Sequence, residues 1–264
     1  MSPADAHSGE ALVEPVPGEP AAVADCGTER ALVVADYHAG IEIGLRYERG
    51  VELGSDADVR RERLCSLCDH IGPDRVVVLG DFVHRIGDPG QDERDEVAAL
   101  LDALDARGVP LTLVPGNHDG GVADAYGDRL EVADAGGLRL GDVGFVHGHT
   151  WPDRAVLRAT TVCMGHEHPQ VRLEDEVGGG RVEKAWLRGR LRLDPFADHF
   201  GVVPESLEWG DPGLVVFPAF NDRSGGTWIN VDGQSFLSPF LPDALEGAEA
   251  YLLDGTRLGA YQRV

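Results

Sequence analysis

Lysine is nearly missing from this chain: Lys184 is the only one, and 23 basic residues face 46 acidic ones, for a net charge of −23 over 264 residues. Arginine carries the positive charge instead. An even carboxylate excess is expected of a salt-adapted proteome, here a halophilic archaeon, because a hydrated acidic surface keeps a protein dispersed in strong brine. Acidity would ordinarily argue against a nucleic-acid partner. Molar salt removes that exclusion, since it screens repulsion to within about 3 Å. Long apolar runs are missing too; none reaches the roughly 20 residues that cross a bilayer, so no membrane partner is expected. The N-terminus has no basic stretch followed by an apolar one, which predicts a cytoplasmic protein. Cysteine is scarce, at positions 26, 65, 68 and 163, without the spacing of a secreted disulfide framework. Cys65 and Cys68 share an apolar helical face with Leu64, Leu67 and Ile71, and no second Cys-x-x-Cys completes a zinc ribbon.

What is present is α/β text. Residues 1–10 are small and polar and are expected to form a disordered leader, leaving 11–264 as a single domain. Ala21–Ala24 and Ala31–Ala35, joined by a Cys26-Gly27-Thr28 turn, predict a hairpin that delivers Asp36 at its carboxyl end. Ser55-Asp56-Ala57-Asp58 reads as a capping box opening a helix to about His70. A strand over 75–79, a helix over 91–107 stopped by Gly108, and a strand over 109–114 imply right-handed crossovers and a largely parallel core sheet. Beyond Gly120 the text becomes strand-rich: 130–132, 138–140, 145–146 and 161–164, with a helix expected over 151–159, and then 182–193, 214–217, 227–231 and 251–253. Residues 172–182 read as a hairpin tip, and the whole predicts a second sheet packed on the first.

Against this background, short segments end apolar runs in metal-ligand residues: Asp36-Tyr37-His38, Gly80-Asp81 with His84 following, Gly116-Asn117-His118-Asp119, His147-Gly148-His149 and Gly165-His166-Glu167-His168. Seven of the ten histidines lie in them. Carboxylate and imidazole donors at strand ends, with glycines permitting tight turns, are what a polar metal site requires. No thiolate is among them, because Cys163 is expected to face the core.

In their order, these motifs resemble the calcineurin-like metallophosphoesterase superfamily from Asp36 to His168. Asp36-Tyr37-His38-Ala39-Gly40-Ile41-Glu42, His84 four residues after Gly80, His168-Pro169 and Pro218-Ala219-Phe220-Asn221 are similar to the small archaeal phosphoesterases related to the SbcD repair nuclease. The resemblance implies an α/β fold, a four-layer α-β-β-α sandwich of two mixed sheets. It implies two divalent ions, one held by Asp36, His38, Asp81 and His168 and the other by Asp81, Asn117, His147 and His166. Manganese is the expected metal, with iron and zinc compatible with the same donors. Chemistry supports the shared Asp81 independently, since two cations roughly 3.5–4 Å apart need a common anionic ligand and a bridging hydroxide. That hydroxide would attack phosphorus in line, without a covalent enzyme intermediate. His118 would contact phosphate and protonate or stabilise the leaving oxygen. Asp119 would orient the loop or His118, or cap the next helix, and His84 and His149 would lie near the metals or face substrate.

The expected substrate is a phosphodiester, with a DNA-repair nuclease as the leading reading. Arg188, Arg190 and Arg192 fall on one face of a predicted strand and could track phosphates, although a solvated face accounts for them equally well. The alternative is a phosphodiesterase or phosphatase acting on a nucleotide or other small phosphoester. A non-catalytic scaffold ranks last, because every expected ligand is present. No heptad or long apolar patch points to a protein partner.

Overall fold

Strands that bury alternate residues on opposite faces build the layers of this molecule. The computed structural model describes residues 11–264 except 51–52, 175–177 and 232, so the predicted leader and part of the hairpin tip at 172–182 lie outside the described residues. β1 (Val13–Pro15), β2 (Ala21–Asp25), β3 (Arg30–Ala35), β4 (Arg75–Leu79), β5 (Leu111–Val114) and β6 (Glu131–Val132) lie side by side in that order. The first two joins are antiparallel and the remaining three parallel, so the first sheet is mixed.

Leu32 and Val34 of β3, with Val76 and Val78 of β4, pack under a helical layer. That layer comprises α2 (Ala57–Ile71) and α3 (Gln91–Asp105), which follow a shorter α1 (Ile41–Arg49). Leu64 and Leu67 of α2 and Val97, Leu100 and Leu104 of α3 fill the same cluster. The intervening Ala31, Val33, Ala35, Val77 and Leu79 face the other way, toward the second sheet. Burial on both faces is why these strands read as continuous apolar runs.

The second sheet contains β7 (Leu138–Leu140), β8 (Val143–Val146), β9 (Thr161–Met164), β11 (Gly180–Leu191), β12 (Gly213–Val216), β13 (Leu245–Leu252) and β14 (Arg257–Ala260), with β10 (Gln170–Glu174) hydrogen-bonded to β11. Val143, Phe145, Cys163, Trp186, Val215 and Phe217 meet the first sheet. Met164, Leu187, Leu214 and Val216 turn outward under Phe196 of α5 (Leu193–Phe200) and under Leu157, Leu207 and Phe240. The expected α-β-β-α sandwich of two mixed sheets is therefore what forms. Its two inner sheets run β3, β4, β5, β8, β9 and β12 in parallel pairings, so their carboxyl ends form one rim.

Several local expectations change. The segment 151–159 forms only a short turn of 3-10 helix, Val156–Arg158, because the Asp153 N–H is drawn to Gly136 O at 2.8 Å. Residues 227–231 make a single bridge, Trp228 to Gln170, instead of a strand. α2 begins as expected, but Asp56 makes no cap bond; its carboxylate pairs with Arg223 at 2.6 Å. α1 and α5 were not anticipated: α1 is bounded by the left-handed Gly40 and Gly50, and α5 carries Pro195 in its first turn, where a missing N–H costs little. All four cysteines are free and buried. Among the described residues no helix is long and apolar enough to cross a membrane.

Candidate metal centre

Every motif histidine and carboxylate sits on the loop that leaves a strand at the common rim. Asp36 follows β3, Asp81 follows β4, Asn117 follows β5, His147 follows β8, and His166 and His168 follow β9. Six non-glycine residues among those described have left-handed backbone, and five of them are Asp36 (φ 55°), His38 (φ 50°), Asp81 (φ 44°), His166 (φ 68°) and His168 (φ 44°). Left-handed backbone is costly for residues with a Cβ and persists where the surroundings hold it for a purpose. Glycine is needed beside them for space: a Cβ on Gly116 would collide with Asp81 Oδ1, and one on Gly80 would collide with the His147 ring.

The donors gather in two groups that share Asp81. Asp36, His38, Asp81 and His168 present ligand atoms within 4.8 Å of one another, and so do Asp81, His147 and His166. Asn117 joins the second group, with its Oδ1 3.3 Å from His147 Nε2. His147 Nε2 lies 3.5 Å from Asp81 Oδ1, and His38 Nε2 lies 3.8 Å from Asp81 Oδ2, so the two carboxylate oxygens face different groups.

Backbone carbonyls set the imidazole orientations. His147 Nδ1–H donates to Leu79 O at 2.9 Å and His168 Nδ1–H to Gly225 O at 2.8 Å, leaving each Nε2 aimed inward. This is the arrangement by which outer contacts fix the ligand tautomer. His118 Nδ1 meets His84 O in the same way, and its Nε2 lies 3.8 Å from Asp81 Oδ2. The three rings of His38, His84 and His118 stand 5.3–5.8 Å apart.

Whether these residues suit a cation is answered by a buried atom. His168 Nε2 is buried and lies 3.1 Å from Asp36 Oδ1, yet makes no hydrogen bond. The pair is close enough for charge attraction but misaligned for N–H donation, as two ligands converging on one ion would be. Burial opposes charge on both, but each partner's charge prevails: Asp36 is held below the usual carboxylate range, and His168 is raised. Burial lowers His166 to about 3, reinforced by His147, and lowers His38 well below its ordinary value, reinforced by His168. Neutral imidazoles and ionised carboxylates are the forms that bind divalent metals.

Asp119 touches no ring. Its carboxylate accepts N–H bonds from Phe82 at 2.8 Å, Val83 at 3.2 Å and Gly116 at 2.8 Å, clamping the Asp81 loop to the Asn117 loop. Burial pushes Asp119 up to about 6 against the Gly116 N–H, so it is a positioning residue with a constrained charge. The residue before α4 (Val122–Tyr126) is Gly121, so Asp119 is not at its cap position. His149 lies behind His147, ring to ring at 5.2 Å, with a buried Nδ1 that has no partner.

Three supports depend on contacts that the motifs do not specify, although Glu42, Glu167 and Asn221 stand within them. Buried Arg60 bridges Glu42 and Glu96, and Glu96 accepts the Gly40 N–H at 2.9 Å, fixing the loop after His38. Asn221 Nδ2 donates to Tyr37 O at 3.0 Å and so braces the Asp36 loop from the far end of the chain. Glu167, buried between His166 and His168 in the chain, receives the Leu237 and Ser238 N–H groups. Their partners lie from 18 to 184 residues away along the chain, so no short motif names them.

The family profile for calcineurin-like phosphoesterase matches residues 29–221, which spans all of these loops. The chain belongs to the calcineurin-like phosphoesterase family. Among solved structures it is similar to the crystal structure of Pseudomonas putida nuclease MPE, at 19% identity and a TM-score of 0.55, over 93% of this chain and 100% of that one. It also matches Yfce, a phosphoesterase from E. coli, at 18% identity and a TM-score of 0.33, over 55% of this chain and 73% of that one. No curated protein matches. The first likeness supports the fold described above. Membership points to a hydrolase of phosphoesters in a family that uses divalent metals, and the His/Asp groups are candidate sites for them.

Proposed function

We propose that this protein is a dinuclear metal-dependent phosphodiesterase, with Asp36, His38, Asp81 and His168 as one ligand set and Asp81, Asn117, His147 and His166 as the other. The observation that carries this reading is the pair of donor groups meeting at Asp81, whose two oxygens face opposite ways. Manganese is the proposed metal, since the set is all oxygen and imidazole nitrogen. Bound ions supply Lewis-acid polarisation of phosphoryl oxygens and activation of water. His118 serves the departing oxygen: with Nδ1 tied to the His84 carbonyl, Nε2 is the nitrogen free to give a proton or hydrogen bond to phosphate. Asp119 holds the His118 loop against the Asp81 loop, so the acid and the shared ligand keep a fixed relation.

A nucleic-acid diester is the leading substrate class, supported by the activity named for the Pseudomonas putida structure. One observation favours a small nucleotide diester instead. Most of the arginine row lies away from the rim: β11 runs antiparallel to β12, with Arg188 opposite Val215, one residue from the rim end, but Arg190 opposite Gly213, the first residue of β12. Arg190 is thus about 10 Å from the ligand end of the sheet at roughly 3.3 Å per residue. Arg192 has left the strand for the start of α5. The decisive assay offers manganese-reconstituted protein, in high salt, bis-p-nitrophenyl phosphate, p-nitrophenyl phosphate, cyclic nucleotides and labelled DNA. Turnover of diesters but not monoesters is expected; monoesterase activity alone would overturn the reading, and DNA cleavage separates the two substrate classes.

A further inference from the structure

Beside the metal groups, α1 and the loop after β4 enclose a cavity of about 600 Å³, lined by Ile43, Tyr47, His84, Arg85, Ile86 and His118 among others. Its volume lies within the range of small-molecule sites. Two of its walls are large apolar side chains left in water, Tyr47 at 84% and Ile86 at 70% exposure. Exposed apolar groups converging on one concavity mark a contact surface more than chance does.

The cavity is continuous with the proposed reaction centre, because His84 and His118 form part of its wall and also group with His38. α1 is seated directly on these rings; a Cβ on Gly44 would collide with His84. The helix is also anchored from below, since Glu42 binds buried Arg60 at 2.6 Å. Tyr47 therefore stands on a fixed platform two turns from the His38 loop. A group esterified to a phosphate beside His118 would have this space open to it.

The wall does not present a cationic cluster, since its one guanidinium, Arg85, is matched by two carboxylates in the lining. Glu93 and Asp92 line it, and the Glu93 carboxylate is occupied by the Gly90 and Arg85 N–H groups, both at 2.6 Å. An aromatic ring, two isoleucines and hydrogen-bonding groups at the edge suit a flat heterocycle with polar margins. A chain of net charge −23 with Arg190 and Arg192 set away from the rim also gains little from tracking a phosphate backbone. We infer that the cavity is a nucleobase subsite that holds the terminal nucleoside of the phosphodiester against Tyr47, Ile43 and Ile86. The inference rests on the phosphodiesterase reading and names its substrate class as a nucleotide diester, either free or at the end of a single strand.

Titration calorimetry of manganese-loaded protein with inorganic phosphate, ribose 5-phosphate and adenosine 5′-monophosphate tests it. The nucleotide should bind roughly tenfold or more tightly than ribose 5-phosphate, the gain expected from stacking one base. Tyr47→Ala and Ile86→Ala should remove most of that gain, Tyr47→Phe should keep it, and Val203→Ala, at an exposed apolar residue outside the cavity, should leave it unchanged. The gain should persist from 0.1 to 1 M KCl, because stacking releases few counterions. Equal affinity for nucleotide and ribose 5-phosphate, or a nucleotide preference indifferent to Tyr47→Ala, would overturn the subsite while leaving the phosphodiesterase intact. Failure of inorganic phosphate to bind at all would instead strike the metal-centre reading. A dinucleotide and a single-stranded oligonucleotide, titrated the same way, distinguish the two sources of the base.

Discussion

The two ends of the second sheet carry charged residues under opposite physical conditions. At the carboxyl ends of β8 and β9, His147 is buried, His166 and His168 sit in left-handed backbone, and His168 Nε2 lacks a hydrogen bond. Farther along β11 from that end, Arg190 is exposed and paired with Asp211 and Arg192 reaches Asp243 O at 3.5 Å, while half-buried Arg188, nearer the rim, lies 6.0 Å over the Tyr251 ring. Both clusters looked like candidate phosphate or metal sites as text. Of these two clusters, the rim combines burial, strain and unmet bonding, the features that favour a ligand, whereas arginines already paired have less need of one.

The strongest way to break this contrast is Asp81→Asn. Both groups should lose metal together, and activity should fall further than for any other single ligand change. Elemental analysis still showing two tightly held ions per chain would refute the shared carboxylate. His118→Ala should spare metal content while slowing an unactivated diester by roughly 10²- to 10⁴-fold. The loss should shrink on p-nitrophenyl esters, whose leaving group hardly needs a proton; equal losses on both would indicate phosphate positioning, and loss of a metal would remove the assignment.

Behind the rim, Arg60→Met would strand Glu42 and Glu96 as buried unpaired carboxylates. A stability loss of about 3–5 kcal/mol is expected from breaking such a cluster on one side, read as a lowered melting temperature. A variant as stable as the parent would show that the Arg60 contacts do not hold the loop. Next in size is a pH effect on metal affinity. Asp36 raises His168, so near neutrality its imidazole holds a proton that a cation must displace, whereas His38 and His166 are already neutral. Affinity should therefore increase as pH rises through neutrality, with about one proton released on filling the site. Calorimetry in buffers of different ionisation enthalpy measures that release, and none at pH 7 would contradict the Asp36–His168 pairing. The smallest effect belongs to the opposite end: Arg190→Ala should change stability by no more than about 1 kcal/mol, as exposed ion pairs do, and leave diester turnover unchanged. A large fall in turnover would return the arginine row to the substrate path.

Much of this was legible before any coordinates. The hairpin of β2 and β3, β4, α2 and α3 follow from apolar periodicity, and the motif order placed ligands at strand ends. α1 was missed because its text is charged and contains Gly44, so its packing against His84, not its own propensity, sustains it. The helix expected over 151–159 failed because a long-range bond from Asp153 outweighed local pattern. For the arginine row, strand periodicity reported a shared face but not which of its residues stands near the rim.

By itself, then, the sequence determined the layered α/β character, the donor types and their order, since these depend on periodicity and on short motifs whose chemistry is local. Tertiary structure alone decided that Asp81 faces both donor groups, that Asp119 clamps two loops, that Arg60 and Asn221 support the Asp36 loop, and that Tyr47 and Ile86 meet across a cavity beside His118. These relations join residues far apart in the chain. Their energy comes from burial and partner geometry, which exist only once the two sheets have packed.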